Sequence, residues 1–468
     1  MISEFSTNKH SAASLSGEQL REFMTERTEI KSRRRSRVVI IGAGFGGLWA
    51  ARAFTHSPVE VMLLDRNNYH TFFPLLYQVA AAELEPEDIV YPVRSLARNL
   101  RHTDFCLAEV QSIDFANHAV ATQKFSIPYD FLIISTGSVT HFFDVPGAKQ
   151  YSFPLKTLDQ AVTLRNQILY SFERAIHERD PNRRRRLLTF TIVGGGPTGV
   201  EFAGALVELI RGPLFKDFRR LDFHEVRVVL LEAMGNLLSG LPERLSAYAL
   251  KRLHRMGVDV QLQATVNEIT PQSLKLKNGT VIPTETVVWT AGVRGDPIAQ
   301  SLHLPVGRNG RVRVLPTLQL AGHPDVYIIG DLVHAEEGGQ LLPMLAPVAM
   351  QQGTAAARNI SRQIEGLDPL PFQYRDPGTM ATIGRHAAVA TIGGRMFTGF
   401  PAWIVWLSVH LYKLIGFRNR LVVLINWAWD YFFYERAVRL ILPTMQSRIP
   451  DERAESAPVS ATRMNIYQ

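Results

Sequence analysis

A run of branched apolar residues that ends in glycines and continues into helix-favouring sequence occurs twice in the chain. The first copy, VVIIGAGFGGLWAARAF, begins at Val38, and the second, LLTFTIVGGGPTGVEFAGALVEL, begins at Leu187. A short continuous apolar run predicts a buried strand, and alanine-rich sequence beyond the glycines predicts a helix. Each copy therefore predicts a strand, a tight turn and a helix, and the repetition indicates a duplicated structural unit.

Both turns carry glycines in the spacing G-x-G-x-x-G, which is typical of dinucleotide-binding loops. The first glycine allows a tight bend, the second lets a pyrophosphate approach the backbone, and the third lets the helix pack against the strand. Amides at the helix N-terminus then face the phosphate. Glycines in such turns can also serve packing alone. The six glycines are Gly42, Gly44, Gly47, Gly194, Gly196 and Gly199.

An acidic residue ends the next predicted strand after each glycine turn. In VEVMLLDRNNYH, Asp65 stands about 20 residues beyond the glycines, where a carboxylate can accept hydrogen bonds from ribose hydroxyls. In VRVVLLEAMGNLL, Glu232 follows a longer interval that contains the surplus RGPLFKDFRRLDFHE. A carboxylate there repels the 2′-phosphate of NADPH, so Glu232 favours NADH. The alternative for each acid is a hydrated residue at a strand end.

Three further segments predict strands that end in small residues or glycine. YDFLIISTGS (129–138) follows the first turn, TVVWTAGVRG (286–295) follows the second, and HPDVYIIGDLV spans 323–333. Small residues at a strand end let the backbone pass close to a bound nucleotide. Asp331, in the last segment, can bond a flavin ribityl or phosphate group. An ordinary exit from strand to loop explains each segment singly, but the duplication favours two nucleotide sites.

The order of these segments predicts an α/β fold with two Rossmann-like dinucleotide-binding domains, the second inserted into the first. With 468 residues, the chain is too long for a single core. Residues 38–150 and 311–390 are predicted to form the outer domain, and residues 151–310 the inserted one. A polar, basic tail is predicted at 1–37 and a flexible tail at 446–468.

Composition narrows the classes of partner. The net charge of +8 suits nucleic acid, an anionic membrane or an anionic substrate. No nucleic-acid-binding module is recognisable, so nucleic acid is not expected as a partner. The single cysteine, Cys106, excludes an internal disulfide and a C-x-x-C redox pair. The N-terminus is polar, contains several acidic residues before its basic cluster, and lacks the apolar core of an export signal, which predicts a cytoplasmic protein.

Two aromatic segments near the C-terminus, FPAWIVWLSVHLYKLIGF and LVVLINWAWDYFFYERAVRLIL, predict amphipathic helices within 391–445. Polar residues interrupt both before the roughly 20 apolar residues that a membrane-spanning helix needs. Tryptophan and tyrosine favour the headgroup boundary, and nearby lysines and arginines can meet anionic lipid. The segments therefore predict a peripheral membrane anchor with an anionic membrane surface as its partner. A homodimer interface is the alternative.

Three stretches outside the glycine turns carry a resemblance to a known family. DRNNYHTFFPLLYQVA, MATIGRHAAVA and HLYKLIGFRNR resemble type II NADH dehydrogenases, the single-subunit NADH:quinone oxidoreductases. The resemblance extends from about residue 38 to residue 442. It implies non-covalent FAD in the outer domain, NADH as substrate in the inserted domain, and a membrane quinone, ubiquinone or menaquinone, as electron acceptor. It also implies peripheral attachment to the cytoplasmic side of the inner (plasma) membrane and a reaction that pumps no protons.

The resemblance also assigns roles to individual residues. Glu201, in the helix after the second glycine turn, matches a family glutamate directed toward nicotinamide and flavin, although such an acid can also complement a helix dipole. Gln351 and its neighbour Gln352 are the candidate quinone contacts. The chain departs from the family here, because APVAMQQG has Pro347 where the family often has its first glutamine. A helix start with polar surface residues is the alternative.

Further cofactor contacts follow from the two glycine turns and the resemblance together. The predicted FAD contacts are Gly42, Gly44, Phe45, Gly46, Gly47, Asp65, Arg66, Gln78, Val110, Thr136, Gly137, Asp331, Ala346 and Val348. The predicted NADH contacts are Gly194, Gly196, Pro197, Thr198, Gly199, Glu232, Ala291 and Gly292. No metal site is expected, because the histidines, such as His70, His386 and His410, lack metal-ligand spacing and are predicted to pack or face solvent. Two other functions stay open: an NADH-dependent reductase of a small electron-transfer protein, and a redox sensor that holds NADH and FAD without turnover.

Overall fold

The computed structural model of the chain describes residues 35–433 and 439–442. These residues divide into two compact units. Unit 1 contains residues 35–70, 91–139 and 293–377, and unit 2 contains residues 71–90, 140–292, 378–433 and 439–442. Each unit contains one glycine turn and its own sheet of mainly or wholly parallel strands. The predicted tails at 1–37 and 446–468 lie outside the described residues, apart from 35–37 at the first strand.

A six-stranded sheet forms the centre of unit 1. Neighbouring strands run parallel, except that the edge strand Gln319–Leu320 is antiparallel to its neighbour His323–Ile328. Val38, Val39 and Ile40 are fully buried, which is the continuous apolar pattern of a parallel strand covered on both faces. From edge to edge the strands are Gln319–Leu320, His323–Ile328, Phe131–Ile134, Ser36–Ile41, Val59–Asp65 and Thr103–Leu107.

Helices and small sheets complete unit 1. Its helices are Phe45–Ala53, Val93–Ala97, Ile298–Ser301 and Ala346–Ile364. An antiparallel sheet contains Val110–Asp114, Ala119–Thr122 and Ser126–Pro128, and two strand pairs are Val312–Arg313 with Val333–His334 and Glu336–Glu337 with Gln340–Leu341. The first and last of the helices pack closely, because a Cβ on Gly353 would lie only 2.2 Å from the Gly46 carbonyl oxygen.

A five-stranded parallel sheet forms the centre of unit 2. Its order is Ser152–Pro154, Thr286–Trp289, Thr189–Val193, Arg227–Leu231 and Asp259–Gln261. An antiparallel sheet contains Val266–Ile269, Ser273–Leu276 and Val281–Pro283. The α-helices before residue 378 are Leu76–Ala80, Ala148–Tyr151, Leu158–Ala175, Pro181–Leu187, Pro197–Leu209, Phe215–Asp217 and Glu243–Arg255.

The end of unit 2 is a sheet followed by two helices. Strands Thr379–Thr382, Ala388–Ile392 and Arg395–Gly399 form an antiparallel sheet. The first C-terminal helix is Phe400–Lys413 and the second is Phe417–Phe433. The predicted helical anchor at 391–445 is therefore wrong for residues 391–392 and 395–399, which belong to paired strands. Within the described part of the chain, no helix combines the length and the apolar sequence needed to cross a bilayer.

The two units also differ from the predicted domain bounds. Residues 71–90, 140–150 and 378–390 belong to unit 2 rather than to the outer domain, and residues 293–310 belong to unit 1. The reason is packing between segments that are distant in sequence. Helix Leu76–Ala80 and strand Thr379–Thr382 both pack against helix Pro197–Leu209, which follows the second glycine turn.

Candidate active site

The first glycine turn joins strand Ser36–Ile41 to helix Phe45–Ala53 in unit 1. Gly42 has a φ of 102°, and a Cβ on it would lie 2.2 Å from a backbone oxygen of the neighbouring strand end. A Cβ on Gly47 would lie 1.9 Å from the Gly42 carbonyl oxygen. A Cβ on Gly44, by contrast, would meet no protein atom within 4 Å. The turn has no room for a side chain at Gly42 or Gly47, but it has open space at Gly44, where a pyrophosphate is predicted to approach.

The two strand-end acids make matching hydrogen bonds in their own units. Asp65 accepts from Ala43 N and from the amide two residues beyond itself, both at 2.7 Å. Glu232 accepts from Gly195 N at 2.6 Å and from the amide two residues beyond itself at 2.8 Å. In each unit the first donor directly follows the first glycine of the turn. Glu232 therefore occupies the predicted position despite its longer interval.

Asp65 is half-buried at the end of its strand. Burial raises the pKa of the Asp65 carboxyl, and the backbone N–H groups of Ala43 and Asn67 oppose that rise. His70 Nδ1 lies 2.9 Å from the Ala43 carbonyl oxygen, and its ring meets Phe45 edge to face at 5.0 Å. Burial lowers the pKa of His70 to about 4, so the ring is neutral at pH 7. These contacts agree with the packing role predicted for His70.

Gln352 and Thr136 carry two of the five buried side-chain polar atoms of unit 1 that have no hydrogen-bond partner among the described residues; the other three belong to His70, Tyr129 and His334. Gln352 is fully buried and its Oε1 accepts from Gly330 N at 2.7 Å, but its Nε2 is unpartnered. Thr136 Oγ1 is unpartnered as well. Asp331, which directly follows Gly330, accepts a hydrogen bond from Ser138 Oγ at 2.5 Å. Unpaired buried donors are costly, so these atoms fit a polar ligand such as the ribityl and phosphate groups of FAD.

The remaining predicted FAD contacts of unit 1 differ in exposure. Val110 and Val348 are buried, whereas Ala346, the first residue of its helix, is partly exposed. Arg66 is exposed. Gly137 has a φ of 79° and, like Gly44, would place a Cβ in open space.

Gln351 and Gln352 have different environments despite their adjacency. Gln351 Nε2 donates to the Arg375 carbonyl oxygen at 2.8 Å, and its Oε1 accepts from Arg375 N at 3.0 Å. The Gln351 amide therefore fastens its helix to the backbone of a following loop. Gln352, with its unpartnered Nε2, has the greater capacity to bond a ligand.

The second glycine turn, in unit 2, has the same construction as the first. Gly194 has a φ of 111°, and a Cβ on it would lie 2.6 Å from the Ala291 Cα. A Cβ on Gly199 would lie 1.9 Å from the Gly194 carbonyl oxygen, whereas one on Gly196 would meet no protein atom within 4 Å. The other predicted NADH contacts are Pro197 and Thr198, exposed at the helix start, and Gly292, where a Cβ would lie 2.9 Å from the Phe143 ring.

Glu201 lies one turn into the helix that follows, and its side chain is buried. Its Oε1 accepts from Trp406 Nε1 and from Thr382 N, both at 3.2 Å. Burial raises the pKa of the Glu201 carboxyl to about 8, and the two hydrogen bonds oppose the rise. A carboxyl with this pKa is mostly protonated at pH 7.

A chain of hydrogen bonds lies beside Glu201 in unit 2. Trp427 Nε1 donates to Gln78 Oε1 at 3.0 Å, and Gln78 Nε2 donates to Tyr77 Oη at 3.1 Å. Tyr77 Oη lies 3.0 Å from Thr382 Oγ1. Burial and the charge of Glu201 raise the pKa of Tyr77 well above its usual value. The structure thus groups Gln78, a predicted FAD contact, with the Glu201 cavity, and both ends of its amide are bonded.

One open cavity connects these residues. Sequence reasoning missed the site roles of Trp406 and Trp427, because aromatic spacing alone does not tell which side of a helix faces inward. Tyr77 and Thr382 lie in two of the stretches that carry the family resemblance, and that resemblance was the one sign in the sequence that they belong to the site. The cavity is lined by Tyr77, Gln78, Glu83, Glu201, Ala205, Glu208, Thr382, Gly384, Arg385, Trp403, Trp406, Leu407, Trp427, Asp430 and Tyr431.

The second C-terminal helix has polar residues on its inner side and apolar residues on its outer side. Asn419 Nδ2 donates to the carbonyl oxygens of Asp88 and Val90 at 3.1 and 2.8 Å, and Asn426 Nδ2 donates to Asp88 Oδ2 at 3.0 Å. An apolar stripe with helical spacing faces outward instead. Its exposed side chains are Phe417, Leu421, Leu424, Ile425, Trp429, Phe432 and Phe433.

Two glycine turns with matching strand-end acids define a dinucleotide-binding oxidoreductase. The sequence pattern of the pyridine nucleotide-disulphide oxidoreductases matches residues 36–353, and that of the NDH2 C-terminal domain matches residues 377–435. The chain has a single cysteine, so it has no disulfide pair of its own.

Individual relatives narrow this class. A type II NADH:quinone oxidoreductase of Mycobacterium tuberculosis is 40% identical over 418 residues, which cover 86% of this chain and 89% of that protein. One from Staphylococcus haemolyticus is 30% identical and covers 79% and 92%. The solved structure of NDH2 from Plasmodium falciparum with NADH has a TM-score of 0.79 at 19% identity, covering 88% of this chain and 100% of that chain. The chain belongs to the type II NADH:quinone oxidoreductase family.

Proposed function

We propose that the protein is an FAD-dependent NADH:quinone oxidoreductase of the respiratory chain that oxidises NADH, reduces a membrane quinone and pumps no protons. The observation that carries the proposal is the buried Glu201 carboxyl at a cavity lined by aromatic side chains of both C-terminal helices. Family membership supports the reaction.

Unit 1 is the proposed site of non-covalent FAD. The open side of Gly44 admits the pyrophosphate, Asp65 is the ribose-binding acid, and the unpartnered Gln352 Nε2 and Thr136 Oγ1 supply donors. When bound, FAD supplies the chemistry of accepting a hydride from NADH and releasing electrons to quinone. The protein's own part is to hold the cofactor and to exclude competing reactions.

Unit 2 is the proposed site of NADH. The open side of Gly196 admits its pyrophosphate, as Gly44 does for FAD. Glu232 holds the turn through Gly195 N and presents a negative charge at the strand end. That charge repels the 2′-phosphate of NADPH, so NADH is the expected substrate.

Glu201 is the proposed source of the one proton that is consumed when NADH, a proton and quinone give NAD⁺ and quinol, and solvent then restores the proton to its carboxyl. Its carboxyl is buried and holds a proton at pH 7, because its pKa is about 8. A general acid is most effective when its pKa lies near the working pH. Gln352 and, with less support from its hydrogen bonds, Gln351 remain the candidate quinone contacts.

The outer face of the second C-terminal helix is the proposed membrane contact. A stripe of exposed phenylalanine, leucine and tryptophan side chains is expected to enter the headgroup boundary, where aromatic residues are favoured. Arg418 and Arg420 are exposed on the same helix and can meet anionic lipid. Peripheral attachment on the cytoplasmic side brings the cavity to the quinone. A homodimer through this face is the competing outcome.

The reaction is tested with the purified, flavin-loaded protein. NADH oxidation is measured with a soluble quinone, with NADPH as the alternative donor and a small electron-transfer protein as the alternative acceptor. We expect rapid quinone-dependent oxidation of NADH. Turnover only with the small protein would identify a reductase of that protein, and bound NADH without turnover would identify a redox sensor.

Membrane contact is tested by flotation with vesicles that contain or lack anionic lipid. We expect binding to anionic vesicles, and we expect the double variant Phe417→Ser, Trp429→Ser to lose it while keeping turnover with soluble quinone. A dimer that dissociates in the same variant, with vesicle binding unchanged, would favour the dimer interface.

A further inference from the structure

The first C-terminal helix reaches the buried carboxyl through one side chain. Trp406 is 1% exposed, and its Nε1 donates to Glu201 Oε1 at 3.2 Å. Its ring stacks on His410 with centroids 4.0 Å apart and an interplanar angle of 22°. Trp427 and Tyr77 pack against it with centroids at 5.9 and 6.3 Å. A ring enclosed in this way presents its N–H in one direction.

Both hydrogen bonds to the Glu201 carboxyl fall on the same oxygen. Thr382 N and Trp406 Nε1 each donate to Oε1. An oxygen that accepts from two donors is a poor place for the acidic hydrogen, because the O–H would compete with them. The proton of the neutral carboxyl is therefore held on Oε2, the oxygen free of these two donors.

We infer that Trp406 is a positioning residue for quinone reduction, whose indole N–H fixes the Glu201 carboxyl so that Oε2 carries the transferable proton. The first C-terminal helix is then part of the catalytic site. This inference rests on the proposed function, because it requires Glu201 to give up a proton when quinone is reduced.

Substituting Trp406 changes one contribution to the acidity of Glu201 and keeps the others. Burial raises the pKa of Glu201, whereas the Trp406 and Thr382 N–H groups lower it. His410 adds no charge at pH 7, because burial lowers its pKa to about 4. Besides Glu201, the titratable and charged side chains that line the same cavity are Tyr77, Glu83, Glu208, Arg385, Asp430 and Tyr431.

The experiment measures kcat against pH for the flavin-loaded protein with saturating NADH and a soluble quinone. For the natural protein we expect turnover to fall as pH rises through about 8, where Glu201 loses its proton. In Trp406→Phe, one donor to the charged carboxylate is lost, so this fall moves to higher pH by about one pH unit. The matched control is Trp403→Phe, on the same helix and cavity, whose ring packs instead against His386 and Tyr431.

Infrared difference spectroscopy supplies a second readout without turnover. The band of the protonated carboxyl, identified by its absence in Glu201→Gln, is titrated in each protein. We expect its midpoint to rise in Trp406→Phe and to stay unchanged in Trp403→Phe. If Trp406→Phe does not fold, 3-benzothienylalanine at position 406 keeps the ring shape and lacks only the N–H.

The outcomes separate this inference from the proposed function. A pH profile and carboxyl titration in Trp406→Phe that match those of the natural protein would overturn the inference and leave the oxidoreductase intact. Equal displacement in Trp406→Phe and Trp403→Phe would also overturn it. A natural protein that carries FAD but does not reduce quinone would refute the proposed function itself, whereas the infrared titration still tests the Trp406 contact.

Discussion

Replacing Glu201 by glutamine should make the stability of the protein less dependent on pH. Glutamine has nearly the same shape and cannot ionise. In the natural protein the carboxyl is buried and its pKa is raised from 4.5 to about 8 in the folded state. The folded chain therefore keeps a proton that the unfolded chain releases between these two pH values, and stability falls as pH rises through that range.

The size of this effect follows from the two pKa values. A difference of one pKa unit corresponds to about 1.4 kcal/mol, so the interval from 4.5 to about 8 amounts to about 5 kcal/mol at pH values above both. Below pH 4.5 the carboxyl is neutral in both states and contributes no such difference. Glu201→Gln should therefore gain stability relative to the natural protein as pH rises, with little further change above pH 8.

Thermal unfolding followed by scanning fluorimetry at about pH 5, 7 and 9 measures this gain. The difference in Tm between Glu201→Gln and the natural protein should widen in favour of the variant from the lowest pH to the highest. Glu173→Gln is the matched control, because Glu173 is exposed and stays hydrated in both states. A difference in Tm that is the same at all three pH values would refute the argument from burial.

Three further substitutions test other parts of the structure. Gly44→Ala should fold normally, since its Cβ meets no protein atom within 4 Å, but should be purified with little FAD; full FAD content would exclude close approach of the pyrophosphate. Glu232→Ala should raise the KM for NADH by ~10-fold or more, because charged hydrogen bonds contribute roughly 1.5–3 kcal/mol. It should also narrow the preference for NADH over NADPH, because the charge that repels the 2′-phosphate is lost. Unchanged steady-state kinetics would count against both roles of the acid. Gln78→Leu should lower stability by about 1–3 kcal/mol in denaturant titrations, since it leaves the Trp427 N–H without its acceptor and removes one of the two hydrogen bonds at the Tyr77 hydroxyl. An unaltered unfolding midpoint would contradict this expectation.

Local sequence patterns correctly predicted the strand, turn and helix around each glycine motif. Each glycine turn is preceded by a strand and followed by a helix, as the apolar runs and glycine spacing indicate. The strand-end acids Asp65 and Glu232 bond their own turns in the same way. These features are local, since a few consecutive residues with restricted backbone choices decide them.

The C-terminal segments were predicted less completely. Their aromatic and apolar residues correctly predicted two helices, but the strand Arg395–Gly399 was predicted as part of the anchor. Pairing with strand Ala388–Ile392 overrides the local pattern there. The same sequence rule could not separate the exposed Trp429 from the buried Trp406, because it reports the spacing of apolar residues and not what lies opposite each face.

The sequence by itself determined the α/β class of the fold, the two glycine turns and the candidate acid Glu201, because short-range backbone and burial preferences specify them. Only the tertiary structure decided which distant residues surround that acid. Trp406 reaches it from 205 positions away, and Thr382 from 181 positions away. The raised pKa of Glu201 is thus a property of packing: its cause is the removal of water by segments that meet only when the chain is folded.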